Sequence, residues 1–341
     1  MIRGRRLWRA GLAAGGGGCA ALMLGLLSYA QDMTPRPPPT ALTALPVPLD
    51  PARPARTSAG ALDYAGGLVL SAGENSRFGG LSGLALGPDG KTVTTVSDEG
   101  QTARFEISLD PQGRLTGADN LMMAALHEGG VALGRIKQRG DAEDIAAAGG
   151  VFYVPLENDN RVLEMADPFD AAAPVRRMAL PAEAYGLEEG KGLEALAAAD
   201  IGGQTMLAFG AEDGRIWLCP PQAGDGPAGD CRRIVERPPA PLYRLTALAH
   251  LAGSEDFVAL YRSLDPLRGW RARVQHLSPG PGGYKTIALA TLASPMTVDN
   301  MEGVAVLPLP DGSGWRLYLL SDDNFRDVEH TLLLAFDWRR R

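Results

Sequence analysis

The segment NMEGVAV, residues 300–306, indicates the fold because four other segments of the chain repeat its pattern. In all five segments the fifth position is aliphatic, the sixth is alanine and the third is polar. Successive repeats are separated by 61, 51, 52 and 56 residues. Such a period is typical of a repeat architecture in which each unit packs on its neighbours. The other four segments are GLSGLAL (80–86), DAEDIAA (141–147), GLEALAA (192–198) and RLTALAH (244–250).

Each repeat continues into three more segments that resemble strands. After a turn such as GPDGK, residues 87–91, a second apolar run ends in polar residues, and a third and a fourth run follow in most repeats. Four strands per repeat, at a period of about fifty residues, are typical of a β-propeller. We therefore predict an all-β protein with a five-bladed propeller. Six blades are the alternative, because the long first interval has room for one more.

The last repeat lacks a fourth strand, since the chain ends soon after Trp338. The segment ALDYAGGLVLSA, residues 61–72, lies before the first repeat and has the pattern of a strand. We predict that this N-terminal strand completes the last blade. Both ends of the chain would then meet in one blade, which closes the ring without a free edge.

The N-terminal region differs from the rest of the chain. Residues 1–30 combine a basic start, an apolar run of small residues and a small-residue cleavage site before Gln31, which predicts a signal peptide. The pair Arg5 and Arg6 suits twin-arginine export, and a retained membrane anchor is the alternative. Residues 31–60 read as a Pro-rich linker, so that the propeller domain covers residues 61–341. We expect an exported protein, periplasmic or otherwise extracytoplasmic.

The net charge and the cysteine content limit the classes of partner that the sequence favours. Without residues 1–30 the chain has 29 basic and 40 acidic residues, a net charge of −11 instead of −7. This charge argues against nucleic acid as a partner, and it suits a metal ion or a neutral or cationic ligand better than a polyanion. Cys219 and Cys231 remain in that part, either as a local disulfide or as two free thiols. We expect a monomer that acts on a small-molecule ester or phosphoester, with membrane attachment, if any, through residues 1–30.

Acidic residues recur at matching places in the repeats. Glu143, Glu194 and Glu302 share the third repeat position and are the candidate catalytic residues. Carboxylates at one depth repel each other unless protons or a cation intervene, and calcium prefers six to eight oxygen ligands. The structural alternative is that these acids cap turns or bind backbone N–H groups. The candidate calcium ligands lie at the ends of the second strands: Asp98, Glu99, Glu157, Glu212, Asp322 and Asp323.

Other chemistry has weaker support in the sequence. Arg77, Arg139 and Arg262 lie near the predicted strand ends and are candidates for binding a phosphate or carboxylate group. Ser82 lacks the second glycine of a nucleophile elbow, and its repeat position favours a structural role. The four histidines have no ligand spacing, which argues against zinc.

The chain resembles the exported phytase-like proteins described as having esterase-like activity. The resemblance covers residues 62–338, and the pair of NMEG and SDDNF near the C-terminus is its most specific part. It implies a β-propeller, a periplasmic or membrane-attached location and hydrolysis of phosphoesters or esters. The other segments that carry it are RFGGLSGLAL (77–86), DGKTVTTVSDEG (89–100), DAEDIAA (141–147), FYVPLENDNRV (152–162), GLEAL (192–196) and TLLLAF (331–336).

Three functional hypotheses follow. The first is an exported, calcium-dependent hydrolase of phosphate or carboxylic esters with a carboxylate-lined site at the end of the propeller. The second is a binding or scaffold propeller of the cell envelope without catalysis. The third is a lactonase-like propeller, which shares the carboxylates and differs in substrate. Acids that converge in a pocket favour the first hypothesis over the second.

Overall fold

The structure is a computed structural model that describes residues 41–340 except 74–76, 136, 159 and 188–191. The predicted signal peptide, and the predicted linker up to residue 40, lie outside the described residues. The described chain is almost entirely β, with 3% helix. Its helical segments are Leu133–Arg135, Lys137–Gly140 and Ala182–Gly186. Within the described residues, none of these helices has the length and hydrophobicity to cross a bilayer.

Twenty-four strands are present in the described residues, numbered here in chain order. Blades 1 to 4 take four consecutive strands each, and blade 5 combines strands from both ends of the chain. The strands are β1 (Leu42–Pro46), β2 (Ser58–Ala59), β3 (Leu62–Ala72), β4 (Leu81–Leu86), β5 (Thr92–Ser97), β6 (Gln101–Leu109), β7 (Leu115–Ala125), β8 (His127–Glu128), β9 (Val131–Ala132), β10 (Ala146–Ala148), β11 (Val151–Leu156), β12 (Arg161–Met165), β13 (Val175–Met178), β14 (Leu193–Ile201), β15 (Gln204–Ala211), β16 (Ile216–Cys219), β17 (Arg232–Val235), β18 (Arg244–His250), β19 (Phe257–Asp265), β20 (Gly269–Gly280), β21 (Gly283–Ala293), β22 (Asn300–Pro308), β23 (Gly314–Asp322) and β24 (Thr331–Arg339).

The sheets form a five-bladed propeller, which confirms the predicted fold class and excludes the six-bladed alternative. Blades 1 to 4 are β4–β7, β10–β13, β14–β17 and β18–β21, each a meander of antiparallel neighbours. The repeat segments contribute the first strand of each blade, here called the inner strand: β4, β10, β14, β18 and β22.

Blade 5 closes the ring as predicted. Its order is β1-β3-β24-β23-β22, so that the N-terminal strand β3 pairs with the C-terminal strand β24. Leu68 is opposite Leu333, and Leu70 is opposite Thr331. The region assigned to the linker also contributes, because β1 pairs with the outer edge of β3. The strand β1 thereby covers the edge of β3 and becomes the outermost strand of blade 5.

In blades 3, 4 and 5 the inner strand carries a β-bulge at the third repeat position. In blade 3 the bulge leaves Glu194 as an extra residue between two paired positions. The bulges in blades 4 and 5 do the same to Thr246 and Glu302, and in blade 1 the register shifts after Ser82. A bulge bends the strand and re-aims the side chain of the extra residue. In blades 3, 4 and 5 the polar third position of the repeat is therefore the residue that the bulge turns away from regular pairing, whereas Ser82 of blade 1 stays paired with Val96.

The apolar repeat positions line the opposite end of the central channel. The aliphatic fifth positions and the alanines at the sixth surround a cavity of about 200 Å³ there. Small alanine side chains suit a place where five strands converge. These residues form the floor under the polar end of the channel: Leu84, Ala85, Ile145, Ala146, Leu196, Ala197, Leu248, Ala249, Val304 and Ala305.

One contact joins neighbouring blades, and one covalent bond lies within a blade. Buried Asp144 accepts N–H groups from its own blade and from Leu196 of blade 3, each at 2.8 Å, so that it joins neighbouring inner strands. In blade 3, Cys219 and Cys231 form a disulfide across 12 residues of sequence, which decides between the bridged and the free alternatives.

Candidate functional site

The predicted acidic residues meet at one end of the propeller, which we call the mouth. The start of each inner strand is opposite the end of the second strand, as in the pairs Asn300–Asp322 and Arg244–Arg262. Antiparallel pairing therefore brings the third repeat positions and the polar tips together. The residues that define the mouth are Asp98, Asp141, Glu143, Glu157, Glu194, Glu212, Arg262, Asn300, Glu302 and Asp322.

The three glutamates of the third repeat position form one electrostatic group. Burial raises the pKa of Glu143 well above its ordinary value, and the charges of Glu194, Asp141, Glu157 and Glu302 raise it further. Burial likewise raises the pKa of Glu194, although Arg262 opposes the shift. Such mutual repulsion requires side chains that face one another. Without a cation, this arrangement favours protons on the carboxyl groups.

A candidate metal centre lies on blade 2. Single carboxylate oxygens of Asp141, Glu143 and Glu157 all lie within 4.8 Å of one another, and the three side chains are partly exposed. Asn158 donates an amide N–H to Oδ2 of Asp141 at 2.7 Å, which orients that carboxylate. Glu157 was predicted as a metal ligand and Glu143 as a catalytic residue, whereas Asp141 was not predicted. The polar first repeat position, shared with Asn300, was the available signal for it.

Arg262 brings a positive charge into the mouth. Its Nη1 lies 2.6 Å from Oε1 of Glu302 and donates to Oδ1 of Asn300 at 2.7 Å. The amide nitrogen of Asn300 in turn donates to Oδ2 of Asp322 at 3.4 Å. The side chain of Arg262 is 24% exposed, whereas the side chain of Glu302 is 9% exposed. A guanidinium held in this way can bind an anionic or polarised oxygen from the solvent side.

Two carboxyl groups here have a pKa in a range useful for proton transfer. Burial raises the pKa of Glu302 to about 7, although Arg262 and Asn300 lower it and Glu212 and Asp98 raise it further. Burial raises the pKa of Asp322 to about 8, opposed by the N–H of Asn324. A general base works best with a pKa near the working pH. The pKa of Glu302 meets this condition, and its carboxylate is in contact with the Arg262 guanidinium.

Other predicted residues have structural partners. Both oxygens of Asp323 accept hydrogen bonds: Oδ1 from the Gly80 N–H at 2.9 Å and Oδ2 from the Thr331 hydroxyl at 3.0 Å. Glu212 Oε1 lies 3.7 Å from the Arg244 guanidinium. The Asp323 contact with the Gly80 N–H is of the kind that the structural alternative described, and the Glu212–Arg244 contact is an ion pair between blades 3 and 4.

The remaining predicted arginines have acidic partners outside the group around Glu302. Arg77 lies 3.7 Å from Glu99, whose side chain is 41% exposed. Arg139 lies 3.9 Å from Glu128, which also contacts Arg177 at 2.7 Å. Among the three arginines predicted to bind substrate, Arg262 is the one that the structure pairs with a candidate catalytic glutamate.

The chain is similar to several solved structures at low identity. It shares 10% identity with the WD40 repeats of RRP9 (TM-score 0.36, covering 81% of this chain and 75% of that one). The identity is 14% with a chain of a nidogen/laminin complex (TM-score 0.42, 82% and 88%). It is also 14% with a Thermus thermophilus protein described as an oxidoreductase (glucose dehydrogenase) (TM-score 0.35, 76% and 98%). No curated protein has a sequence that matches.

A family profile provides the assignment. The profile described as "Phytase-like: Esterase-like activity of phytase" matches residues 76–325, which include all five repeat segments and the whole mouth. Because the match covers most of the chain, the protein belongs to the phytase-like family with esterase-like activity.

Proposed function

We propose that the protein is a calcium-dependent hydrolase of phosphate or carboxylic esters, with its active site at the mouth. The observation that carries the proposal is the position of Glu302: a buried carboxyl group with a pKa of about 7, paired with Arg262. A base and a cation in contact supply both proton transfer and charge stabilisation. The family assignment supports ester hydrolysis as the reaction class.

The mouth offers suitable ligands for calcium. Asp141, Glu143 and Glu157 provide hard oxygen donors within 4.8 Å of one another, which suits calcium better than a soft metal. Their mutual repulsion, visible in the raised pKa of Glu143, gives a cation a favourable place. Calcium bound there would polarise the ester oxygens and offset the negative charge that repels an anionic substrate.

The side chains of this chain then have separate tasks. Arg262 binds a non-bridging or carbonyl oxygen of the ester. The Glu302 carboxylate accepts a proton from water as the water oxygen forms a bond to phosphorus or to the carbonyl carbon. The bond to the leaving alkoxide breaks, and the alkoxide takes a proton, either from the protonated Glu302 or from solvent. When the alkoxide is protonated by solvent, Glu302 releases its own proton to solvent. Water is consumed, one acid and one alcohol are formed, and Glu302 returns to its starting state by either route.

We also propose that the protein is exported. The N-terminal residues have the pattern of a signal peptide, with a basic start followed by an apolar run of small residues. The Cys219–Cys231 disulfide supports the same location, because such bonds persist in oxidising compartments. The location is tested by fractionating cells that produce the full-length chain and by determining the N-terminus of the exported form.

The reaction is tested with 4-nitrophenyl phosphate and 4-nitrophenyl acetate, in calcium chloride and in a calcium chelator. We expect hydrolysis of at least one substrate in calcium and its loss in chelator. Glu302→Gln should lower kcat by about 10²-fold or more. Glu99→Gln is the matched control and should retain activity, because Glu99 is exposed and paired with Arg77. Hydrolysis that persists in chelator contradicts calcium dependence. A wild type without turnover on either ester contradicts the hydrolase and favours the binding propeller.

A further inference from the structure

We propose that Phe325 is a substrate-contact residue that selects esters carrying an aromatic or other flat apolar group next to the reacting centre. This inference rests on the proposed function, because it places the non-reacting part of the ester beside the mouth. It concerns specificity, which neither the family assignment nor the carboxylate cluster defines. Its support comes from backbone conformation, packing and exposure at the end of β23.

The backbone at Phe325 adopts an unusual conformation. Asn324 and Phe325 both have positive φ, +47° and +52°, in the left-handed region. Asparagine is tolerated there, whereas a bulky residue such as phenylalanine rarely adopts it. A bulky residue in this conformation persists only when its surroundings impose it. The contacts around Phe325 therefore hold its backbone in a conformation that the residue would not adopt by itself.

Two carboxylates impose this turn. Asp322 Oδ1 accepts the N–H of Asn324 at 2.6 Å. Asp323 Oδ1 accepts both the N–H of Phe325 at 3.1 Å and the N–H of Gly80 at 2.9 Å. Asp323 thus fixes the ring-bearing loop to the start of blade 1. Asp322 belongs to the mouth, so the same turn couples the ring to the candidate site through two residues.

Paired glycines make room for the ring. A Cβ on Gly80 would lie 2.4 Å from Cε2 of Phe325 and 2.4 Å from Oδ1 of Asp98. Cε2 of Phe325 and Oδ1 of Asp98 are therefore no more than about 4.8 Å apart, which is the sum of the two distances. A Cβ on Gly79 would lie 2.9 Å from Cε1 of the same ring. The ring packs on bare backbone at the edge of the mouth, directly beside one of its carboxylates.

The ring nevertheless stays accessible. Phe325 keeps 45% of its surface exposed, although ring atoms pack close to Gly79 and Gly80. A partly exposed aromatic ring beside polar groups is typical of ligand pockets, in which apolar walls bind the ligand and a few polar groups orient it. Aromatic groups stack favourably on such a ring.

The test measures binding of non-hydrolysable probes by calorimetry with the full chain in calcium chloride. The probes are phenylphosphonate and methylphosphonate, which share the anionic group and differ in the ring. We expect the wild type to bind phenylphosphonate about 3- to 10-fold more tightly, the range of an aromatic contact. Phe325→Ala should bring this ratio to about one, and Phe325→Tyr should retain it.

Matched variants distinguish a wrong assignment of Phe325 from a wrong assignment of the ester site. Val328→Ala removes an apolar side chain that is 80% exposed close by in the sequence, and it should keep the wild-type ratio. Phe325→Leu retains apolar bulk without a ring, and it should lower the ratio while the protein stays folded by circular dichroism. Equal binding of both probes to the wild type contradicts the Phe325 contact alone. Absence of binding of either probe contradicts the proposed ester site, and with it the contact.

Discussion

Arg262 and Glu302 form an ion pair across two neighbouring blades, with Nη1 of Arg262 2.6 Å from Oε1 of Glu302. Arg262 lies on β19 of blade 4 and Glu302 at the bulge of β22 in blade 5. The charges of Glu302, Glu194 and Glu143 hold the pKa of Arg262 above its ordinary value, although burial opposes this shift. The pair therefore keeps a positive charge among the carboxylates, and Arg262 opposes the rise that burial produces in the pKa of Glu302.

Replacing Arg262 should change the pH dependence of catalysis. Arg262 lowers the pKa of Glu302, so Arg262→Gln should raise this pKa above about 7 and shift the acidic limb of the pH–rate profile to higher pH. We also expect kcat/KM to fall by about 10²-fold, because the group that binds the ester oxygen is lost. Arg262→Lys keeps the charge and should leave the limb nearly in place. A profile of Arg262→Gln with an unshifted limb contradicts the coupling.

Calcium affinity should depend on blade 2. Glu157→Gln removes one of the three clustered carboxylates, and we expect the Kd for calcium to rise by about 10-fold or more. Glu99→Gln removes an acid of the adjacent blade that is 41% exposed and paired with Arg77, so the Kd should change by less than about 2-fold. Calorimetry at one ionic strength provides both values. Equal effects of the two substitutions would place the ion elsewhere in the mouth.

The calcium-free protein should lose stability as the pH rises. Glu302 and Asp322 have folded-state pKa values of about 7 and about 8, above the ordinary 4.5 and 3.8. The folded state thus binds protons that the unfolded state has released. Their contribution is complete below the ordinary values and is lost as the pH rises through about 7 and 8. Carboxyl groups with a lowered pKa, such as Asp89, change the free energy of unfolding only at pH values below this range.

The measurement is urea unfolding in chelator at several pH values between 5 and 9. We expect the free energy of unfolding to fall by a few kcal/mol across this range, since one unit of pKa shift corresponds to about 1.4 kcal/mol. Asp322→Asn should flatten the slope, and calcium at pH 8 should restore stability by mass action. A protein that becomes more stable toward pH 8 in chelator would show that the mouth does not dominate the titration.

We expect Asp144 to contribute to the stability of the propeller. Its two oxygens accept N–H groups of Ile145 and Leu196 in the buried centre. Asp144→Ala leaves these donors without their acceptor, and we expect a loss of about 2–4 kcal/mol in the free energy of unfolding. Asp200→Ala is the control, because Asp200 accepts one N–H from Gly203 in an exposed turn and should cost less than about 1 kcal/mol. Similar losses for both variants would contradict a central role for Asp144.

The repeat made the fold predictable. A small alanine after an aliphatic residue, five times at similar spacing, requires a place where equivalent strands converge, and strand β3 was assigned correctly from the missing fourth strand. The same alignment identified Glu143, Glu194 and Glu302 as a set. Asp141 and Asn300 were missed because the first repeat position also holds glycine and arginine in other blades, which hides its polar members.

The roles of individual acids followed from contacts between residues distant in the chain. Asp322 and Asp323 are adjacent and chemically equal in sequence, yet Asp322 faces Asn300 in the mouth while Asp323 binds Gly80, 243 residues away. Alternation along a strand separates neighbours, and the ring closure brings blade 1 against blade 5. Periodicity alone therefore predicts a propeller and the positions that face the channel, and the structure decided for five blades over six. Which carboxylate meets a cation, a backbone N–H or solvent depends on the neighbouring blade, because burial and charge act through space and not along the chain.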